Sequence, residues 1–300
     1  MTEAAAVENA LQLDSFATEK DEDISDAWKE RAARELNEDP DKLESELNEL
    51  RLFLDENTEL FMNVPRDDRF LQKFLRAKSH AMEKTKEMIT RYCMARIKFK
   101  ENYKSSLPSS CITTFSHQIQ TVLQHRDTQA RRVFIFRVGC WDPALVSKED
   151  LFSANYLCLE LMAREPRTQI SGITALVDME GLSWSHWMQM SMDYIQSMVG
   201  MVQNSFPIRF KEIHIINESP IFQVAYALVK PFLTEKMQQR LKFHGNSQES
   251  LEKCIPASIL PQEMGGEAGQ FSNQELLTEL LAMEEFFVEM QKLSKEDNEQ

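Results

Sequence analysis

The residues that most suggest a function form an unusually apolar segment, 221–233, followed by the basic side chains of Lys236 and Arg240. A helix that is apolar on all sides either lies in a large core or faces something apolar. This segment is too short to cross a bilayer, which takes about 20 residues. Lys236 and Arg240 are four residues apart and share one helix face, where they suit phosphate. The chemistry indicated is non-covalent: an apolar helix that opens at a membrane and passes a lipid in or out.

Catalytic motifs are absent from the sequence, which contains no GxxxxGK[ST], GxGxxG, GxSxG or HExxH pattern. Asp178 and Glu180 end a predicted strand, but without a nucleophile or second acid they favour turn formation and helix capping. His214 alternates with strand apolar residues and is predicted to be an interior histidine. The six histidines lack metal-ligand spacing: His80, His117, His125, His186, His214 and His244. We therefore expect no catalytic residue, no metal and no cofactor; an α/β enzyme with an unrecognised site is one rival hypothesis.

Methionine is abundant, with 16 residues in all and six of them between Met179 and Met201. Flexible thioethers fill irregular cavities and suit adaptable apolar pockets. Ordinary core packing is the alternative, and from the residues alone it is the favoured interpretation.

Charge is unevenly distributed around a net value of −14. Residues 1–60 carry 6 Lys/Arg against 19 Asp/Glu, whereas residues 66–104 carry 12 against 5. Nucleic-acid binding usually gives a basic domain overall, so we expect no nucleic-acid partner. Basic middle patches are compatible with attraction to anionic lipid headgroups, or they solvate helix faces in the ordinary way.

The cysteines are five in number and form no CxxC pair, which favours free thiols in a reducing compartment. The N-terminal sequence lacks the cationic start and apolar stretch of a signal peptide. We therefore expect a cytoplasmic protein, and a monomer.

Four regions follow from the composition along the chain. Residues 1–22 are predicted to be an acidic tail, 23–104 a small helical domain, 111–271 the main domain, and 272–300 a C-terminal helix and tail. In the main domain, strands at 132–138, 173–179, 213–216 and 241–244 alternate with helices at 148–164, 185–203 and 221–233. This alternation predicts an α/β fold with a mainly parallel sheet and helical crossovers.

Five stretches, taken together and in order, resemble the CRAL-TRIO lipid-binding family, and within it the carriers of vitamin E and retinaldehyde. They are DDRFLQKFLRAK at Asp67–Lys78, CWDP at Cys140–Pro143, TQISGITALVDMEGLSW at Thr168–Trp184, SFPIRFKEIHIINESPIF…VKPFLTEKM…LKFHGN within Asn204–Asn246, and ILPQEMGGE at Ile259–Glu267. The resemblance implies a cavity that encloses one hydrophobic molecule between the sheet and the apolar helix, which acts as a gate.

The resemblance also implies which positions face the ligand. They are Phe152, Asn155, Leu159, Ile173, Val177, Met190, Met198, Met201, Val202, Ile213, Phe222 and Val229. Asn155 and Leu159 stand where the vitamin E carrier has serines near the ligand hydroxyl. Because polar groups fix orientation and selectivity in such pockets, the ligand remains open among retinoids, tocopherols, carotenoids, sterol-like molecules and phospholipids.

A phosphoinositide site is implied in the same way, at Lys78, Arg209, Lys236 and Arg240. The expected function is an intracellular carrier that binds one hydrophobic ligand and transfers it at phosphoinositide-containing membranes, with transient peripheral association. The alternative is a signalling module that reads phosphoinositide without carrying cargo.

Overall fold

The structure, a computed structural model, describes residues 24–294, so the predicted acidic tail at 1–22 lies outside the described residues. Labelled in chain order, the elements are α1 Asp26–Leu36, α2 Pro40–Glu56, α3 Thr58–Phe61, α4 Asp68–Ala77, α5 Met82–Lys98, α6 Lys100–Lys104, α7 Ile112–Ser116, β1 Gln120–Arg126, β2 Arg132–Arg137, α8 Lys148–Ala163, α9 Pro166–Ser171, β3 Ile173–Asp178, α10 Trp184–Met188, α11 Met192–Gly200, β4 Phe210–Ile216, α12 Pro220–Val229, α13 Glu235–Arg240, β5 Leu241–Phe243, α14 Gln248–Glu252, α15 Gln274–Ala282 and α16 Glu284–Gln291.

The sheet has five strands in the order β1-β2-β3-β4-β5. Strand β1 is antiparallel to β2, and β2, β3, β4 and β5 are parallel to one another. The predicted α/β class with a mainly parallel sheet and helical crossovers is confirmed. Strand β1 was not predicted.

Side chains alternate between the two faces of each strand. On one face Phe134, Ala175 and Ile173 join a large core that also contains α4, α5, α8 and α16. On the other face Val133 and Leu176 pack with apolar residues of 251–271. Helices α2, α4 and α5 therefore share one continuous core with the sheet, whereas Leu36 of α1 packs with Ile170 in a separate cluster.

Helix α4 begins at Asp68, where the Asp67 carboxylate accepts a hydrogen bond from the backbone N–H of Phe70 at 2.9 Å. The apolar face of the helix is buried, and so are two of its charged residues, Lys73 and Arg76. Lys73 bonds to Glu160 at 2.5 Å, and Arg76 bonds to Glu38 at 2.8 Å. Buried charges of this kind require such partners.

Two predicted helices are divided. The helix predicted at 185–203 ends at Met188 and restarts at Met192, because the Ser191 hydroxyl accepts from the backbone N–H of Tyr194 and starts a new helix. A π-helical turn, Met201–Ser205, then closes α11. The predicted C-terminal helix likewise divides into α15 and α16.

Helix α12 ends at Val229, earlier than the predicted 233, and a 3₁₀ turn, Lys230–Phe232, follows. Pro231 explains the change because it supplies no backbone N–H to continue the α-helix. Among residues 24–294, none of the helices combines the length and the hydropathy needed to cross a membrane.

Candidate functional site

A cavity of about 320 Å³ lies between the sheet, the α10 segment and α12. Its lining side chains are almost all apolar: Phe136, Val138, Trp141, Met179, Leu182, His186, Trp187, Met190, Ile215, Phe222, Ala225, Tyr226, Val229, Leu233 and Leu241. The sheet supplies the floor. In the hydrogen-bonded register Phe136 lies opposite Val177, and Val177 lies opposite Ile215.

One wall depends on a close approach of two loops at the carboxyl ends of β2 and β3. A Cβ atom on Gly139 would lie 2.3 Å from the carbonyl oxygen of Glu180, so only glycine fits there. Gly181 adopts φ +76°, a conformation that glycine takes without strain. The wall residue Leu182 directly follows Gly181, and Trp141 lies two positions after Gly139.

The polar atoms of this wall are tied back into the protein. The indole N–H of Trp141 donates to the carbonyl of Val146 at 2.8 Å. The Nδ1 atom of His186 accepts from the backbone N–H of Ser183 at 3.0 Å, and its Nε2 lies 2.6 Å from the carbonyl oxygen of Trp141. Because these atoms are engaged, the two rings present mainly carbon to the cavity.

Helix α12 forms the opposite wall and is apolar on two sides. Phe222, Ala225, Tyr226 and Val229 recur at helical spacing and line the cavity. Their outward neighbours Val224 and Leu228 are 49% and 43% exposed. The segment is therefore not a buried core helix, because one apolar side faces the cavity and the other faces outward.

An aromatic group connects α12 to the strand behind it. The rings of Phe222 and Tyr226 stack at 5.9 Å, and Phe243 of β5 lies 6.0 and 5.3 Å from them. Apolar contacts of this kind have loose geometric requirements, since aromatic pairs tolerate several arrangements.

Four cations from three parts of the sequence lie close enough to affect one another's pKa values: Lys78, Arg209, Lys236 and Arg240. The pKa of Lys236 is lowered by Arg240 first, then by burial, Arg209 and Lys84. The pKa of Lys78 is lowered by burial and by cations that include Lys236. Like charges depress each other's pKa only at short range. We refer to these four residues as the basic cluster.

Arg209 of the basic cluster is held by helix α9 of the main domain. Its Nη2 donates to the carbonyl oxygens of Gln169, at 3.3 Å, and Ile170. Burial lowers the pKa of Arg209 to about 10, although Glu35 acts in the opposite direction. A partly buried cation held by carbonyl groups retains its charge for an incoming anion.

The sequence profile of the CRAL/TRIO domain matches residues 116–266. This chain belongs to the CRAL/TRIO family. The mouse "Alpha-tocopherol transfer protein-like" is 33% identical over 258 residues, covering 86% of this chain and 75% of the relative. Rat "Clavesin-1" is 29% identical over 244 residues, covering 79% and 67%. The crystal structure of Sfh5 aligns with a TM-score of 0.45 and 15% identity over 83% of this chain and 89% of that chain.

Membership of the CRAL/TRIO family makes this chain one of a group that binds small hydrophobic molecules. Of the predicted ligand-facing residues, Met190, Phe222 and Val229 line the cavity. Val177 lies in the same row of the sheet as two lining residues.

The remaining predicted residues, apart from Asn155, lie in or against the adjoining core. Within that core Phe152, Leu159, Ile173 and Met201 are buried, and Met198, Val202 and Ile213 pack against it. Their contact with a ligand stays a prediction.

The side-chain amide of Asn155 has one atom that is hydrogen-bonded and one that is not. Its Nδ2 donates to the carbonyl oxygen of Leu151 at 2.9 Å, while its Oδ1 is buried without a hydrogen-bond partner. Leu151 belongs to a cluster with Trp141, against which Met190 packs. Since a carbonyl oxygen can only accept, this contact fixes the amide orientation and leaves Oδ1 as the free acceptor.

Several lining residues were missed in the sequence, notably Phe136, Trp141, Trp187 and Tyr226. Trp141 lies in the CWDP stretch, and Tyr226 lies in the apolar helix, so both carried a usable signal. Phe136 is interchangeable with Phe134 in the pattern of β2, because both point to the same face.

Proposed function

We propose that this protein is a carrier that encloses one hydrophobic ligand under α12 and exchanges it at phosphoinositide-containing membranes. The observation that carries the proposal is the apolar cavity closed by a helix whose other side is apolar and exposed. A volume of about 320 Å³ lies within the range of small-molecule sites, about 300–1,000 Å³. Burial of ligand surface contributes roughly 25 cal/mol per Å² before ordering costs.

Binding is favoured over covalent chemistry by the condition of the polar groups around the cavity. His186 is the lining residue with an imidazole, and both its nitrogens already have partners. A general base needs a free nitrogen within reach of the reacting proton.

We further propose that the ligand carries a hydroxyl group. The unpartnered Oδ1 of Asn155 accepts hydrogen bonds but donates none. An alcohol satisfies it, whereas an aldehyde or ester places a second acceptor against it. A satisfied hydrogen bond contributes about 0.5–1.5 kcal/mol, and an unsatisfied buried acceptor costs about 1–3 kcal/mol. An alcohol is therefore preferred over the matching aldehyde.

The exposed side of α12 and the basic cluster support exchange at a membrane. Val224 and Leu228 would enter the apolar edge of the bilayer, while Lys236 and Arg240 of α13 would meet the phosphates. Contact with the bilayer favours the open state only if that state binds it better. Exposed apolar residues on the moving helix supply this difference.

Native mass spectrometry of the purified protein tests the carrier. We expect one copurified lipid per chain, and lipid extraction followed by fragmentation should identify an alcohol. A protein that remains empty after mixing with such lipids, yet binds phosphoinositide vesicles, would support the signalling module instead. The basic cluster is the observation that supports this signalling module as the second candidate function.

Charge reversal tests the membrane contact separately. Each cation near an anionic surface contributes about 1 kcal/mol, so Lys236→Glu with Arg240→Glu should weaken binding to phosphoinositide vesicles at least about 30-fold. Ligand affinity in solution should not change. The control is Lys42→Glu with Lys253→Glu, two lysines whose side chains are each 70% exposed. Equal losses in both double variants would leave only diffuse charge attraction.

A further inference from the structure

A second cluster of functional groups lies on the face of the sheet away from the cavity. His214 of β4, His244 after β5 and Cys254 after α14 each bring one nitrogen or sulfur atom within 4.8 Å of the other two. His214 is fully buried, and Cys254 packs against the core on this face. The three residues are separated by 30 and 10 positions, so their proximity arises from the pairing of β4 with β5.

The two imidazole rings point a nitrogen at each other. The Nδ1 of His214 lies 2.8 Å from the Nε2 of His244, the ring centres are 5.1 Å apart, and the ring planes differ by 24°. A single proton bridges this pair, since two protonated nitrogens cannot share one hydrogen bond.

Each ring has an oxygen on its outer side. The Nδ1 of His244 lies 2.8 Å from the Ser250 hydroxyl. The Nε2 of His214 is buried without a hydrogen-bond partner, and a Glu212 carboxylate oxygen lies 3.4 Å away. Metal-binding histidines have this arrangement, in which one nitrogen holds the ion and the other donates to an oxygen that orients the ring.

We propose that His214, His244 and Cys254 bind a divalent transition-metal ion such as Zn²⁺, with water as a fourth ligand. Two imidazoles and a thiolate form a donor set suited to zinc. The ion would take the place of the proton between the rings, this proton would move to the outer nitrogen of the ring that carried it, and Cys254 would bind as the thiolate after losing its proton to solvent.

Metal binding requires the ligand atoms to move, and the two rings, whose nitrogens now point at each other, must turn toward a common ion. Tetrahedral zinc with bonds of about 2.0–2.1 Å to nitrogen and about 2.3 Å to sulfur holds two nitrogens about 3.3 Å apart and nitrogen and sulfur about 3.6 Å apart. The imidazoles would therefore separate by about 0.5 Å, and the thiol would move toward them. His214 would then donate from Nε2 to Glu212, which gives that buried nitrogen a partner.

Metal binding would also fix the strand behind the gate. His244 follows Phe243, the residue of β5 that packs on α12. The backbone N–H of His244 donates to the carbonyl oxygen of Ile215. The ion would join β4, β5 and α14 at one point. This consequence depends on the proposed gate, whereas metal binding itself does not.

The test uses the full chain, freed of metal with a chelator and then titrated with Co²⁺ and Zn²⁺. We expect one ion per chain, a cobalt–thiolate charge-transfer band, and displacement of Co²⁺ by Zn²⁺. Cys254→Ser should remove the band, and His244→Gln should weaken zinc binding more than the about 10–100-fold expected for loss of an outer partner, as in Ser250→Ala.

The matched control is Cys140→Ser, a change at the other half-exposed cysteine, which should leave the titration unchanged. Circular dichroism identifies any variant that fails to fold. The proposal is wrong if the folded wild type shows no saturable one-to-one binding, or if Cys254→Ser binds cobalt with the same affinity and spectrum. In that case the groups form a structural hydrogen-bond chain from Ser250 through both histidines.

Discussion

Helices α4 and α12 each contain ten residues, but the more polar helix, α4, is the more buried of the two, and the apolar helix, α12, is the more exposed. In α4 Lys73 and Arg76 are each only 2% exposed, whereas in α12 Val224 and Leu228 are 49% and 43% exposed. The charged helix is interior because every buried charge has a partner. The apolar helix is at the surface because one of its sides covers a cavity and the other covers nothing in the protein.

This difference in burial between α4 and α12 indicates which of the two helices is able to move. Lys73 is fixed by Glu160 and lies 4.4 Å from the ring centre of Phe70. Charge-assisted bonds have narrow geometry and hold α4 in one position. Helix α12 is held by contacts among apolar rings, which survive sliding and repacking. A carrier needs both: a fixed helical domain and a wall that opens.

The largest effect should follow from breaking the buried pair of α4. Glu160→Gln leaves Lys73 buried without a countercharge, and such a change costs about 3–5 kcal/mol. We expect this loss in the free energy of unfolding measured with denaturant. The control is Glu87→Gln, where Glu87 pairs with Arg91 and both side chains are about half exposed. The control should cost less than about 1 kcal/mol. Similar losses in both variants would mean that α4 is not held by its buried charge.

The sequence predicted β2, β3 and β4 because apolar residues predominate in each of them, but it did not predict β1. Strand β1, QTVLQHR, is an antiparallel edge strand with five polar residues of seven. Edge strands lack the continuous apolar pattern of strands covered on both faces. Its position depends on pairing with β2, which no local pattern reveals.

The lining of the cavity was also predicted only in part, because local patterns do not reveal contacts between separate elements. Met190, Phe222 and Val229 line the cavity and lie in stretches that the composition or the family resemblance had already indicated. The residues of the basic cluster were predicted only through the resemblance, and the contact between His214 and His244 was not predicted. Spacing in the sequence says nothing about such contacts, since β4 and β5 are joined through α12 and α13. The break of the predicted helix at Ser191 was also missed, because a single serine competes weakly with a helical pattern.

The next effect concerns the two sides of α12. Ala225→Trp fills the cavity from the inner side, and overpacking of this kind costs about 1–3 kcal/mol. Ligand affinity should therefore fall about 5- to 150-fold in a fluorescence titration with a hydrophobic alcohol. The matched control is Val224→Trp, the neighbouring residue on the exposed side, which should leave affinity unchanged. If both changes reduce affinity equally, the cavity under α12 is not the binding site.

The smallest expected effect is a pH-dependent contribution of His80, next to α4, to the free energy of unfolding. His80, just after α4, places Nδ1 2.6 Å from Glu46 and Nε2 3.4 Å from Glu38. Burial alone lowers the pKa of His80, but hydrogen bonds and charge from Glu38 and Glu46 outweigh it and raise the pKa above 6.5. A raised pKa stabilises the folded state below the unfolded value of 6.5, and this contribution is lost as pH rises through the folded pKa.

His80→Gln should therefore remove a decline in the free energy of unfolding as the pH rises above 6.5. Burial lowers the pKa values of His214 and His244, so these residues act with the opposite sign and lose stability as pH falls. For this reason the measured quantity is the difference between wild type and variant at each pH, from denaturant unfolding, with His117→Gln as the control. The difference should shrink as pH rises. A difference that is constant with pH would show that His80 contributes only packing, and that the polar contacts of α4 do not titrate in this range.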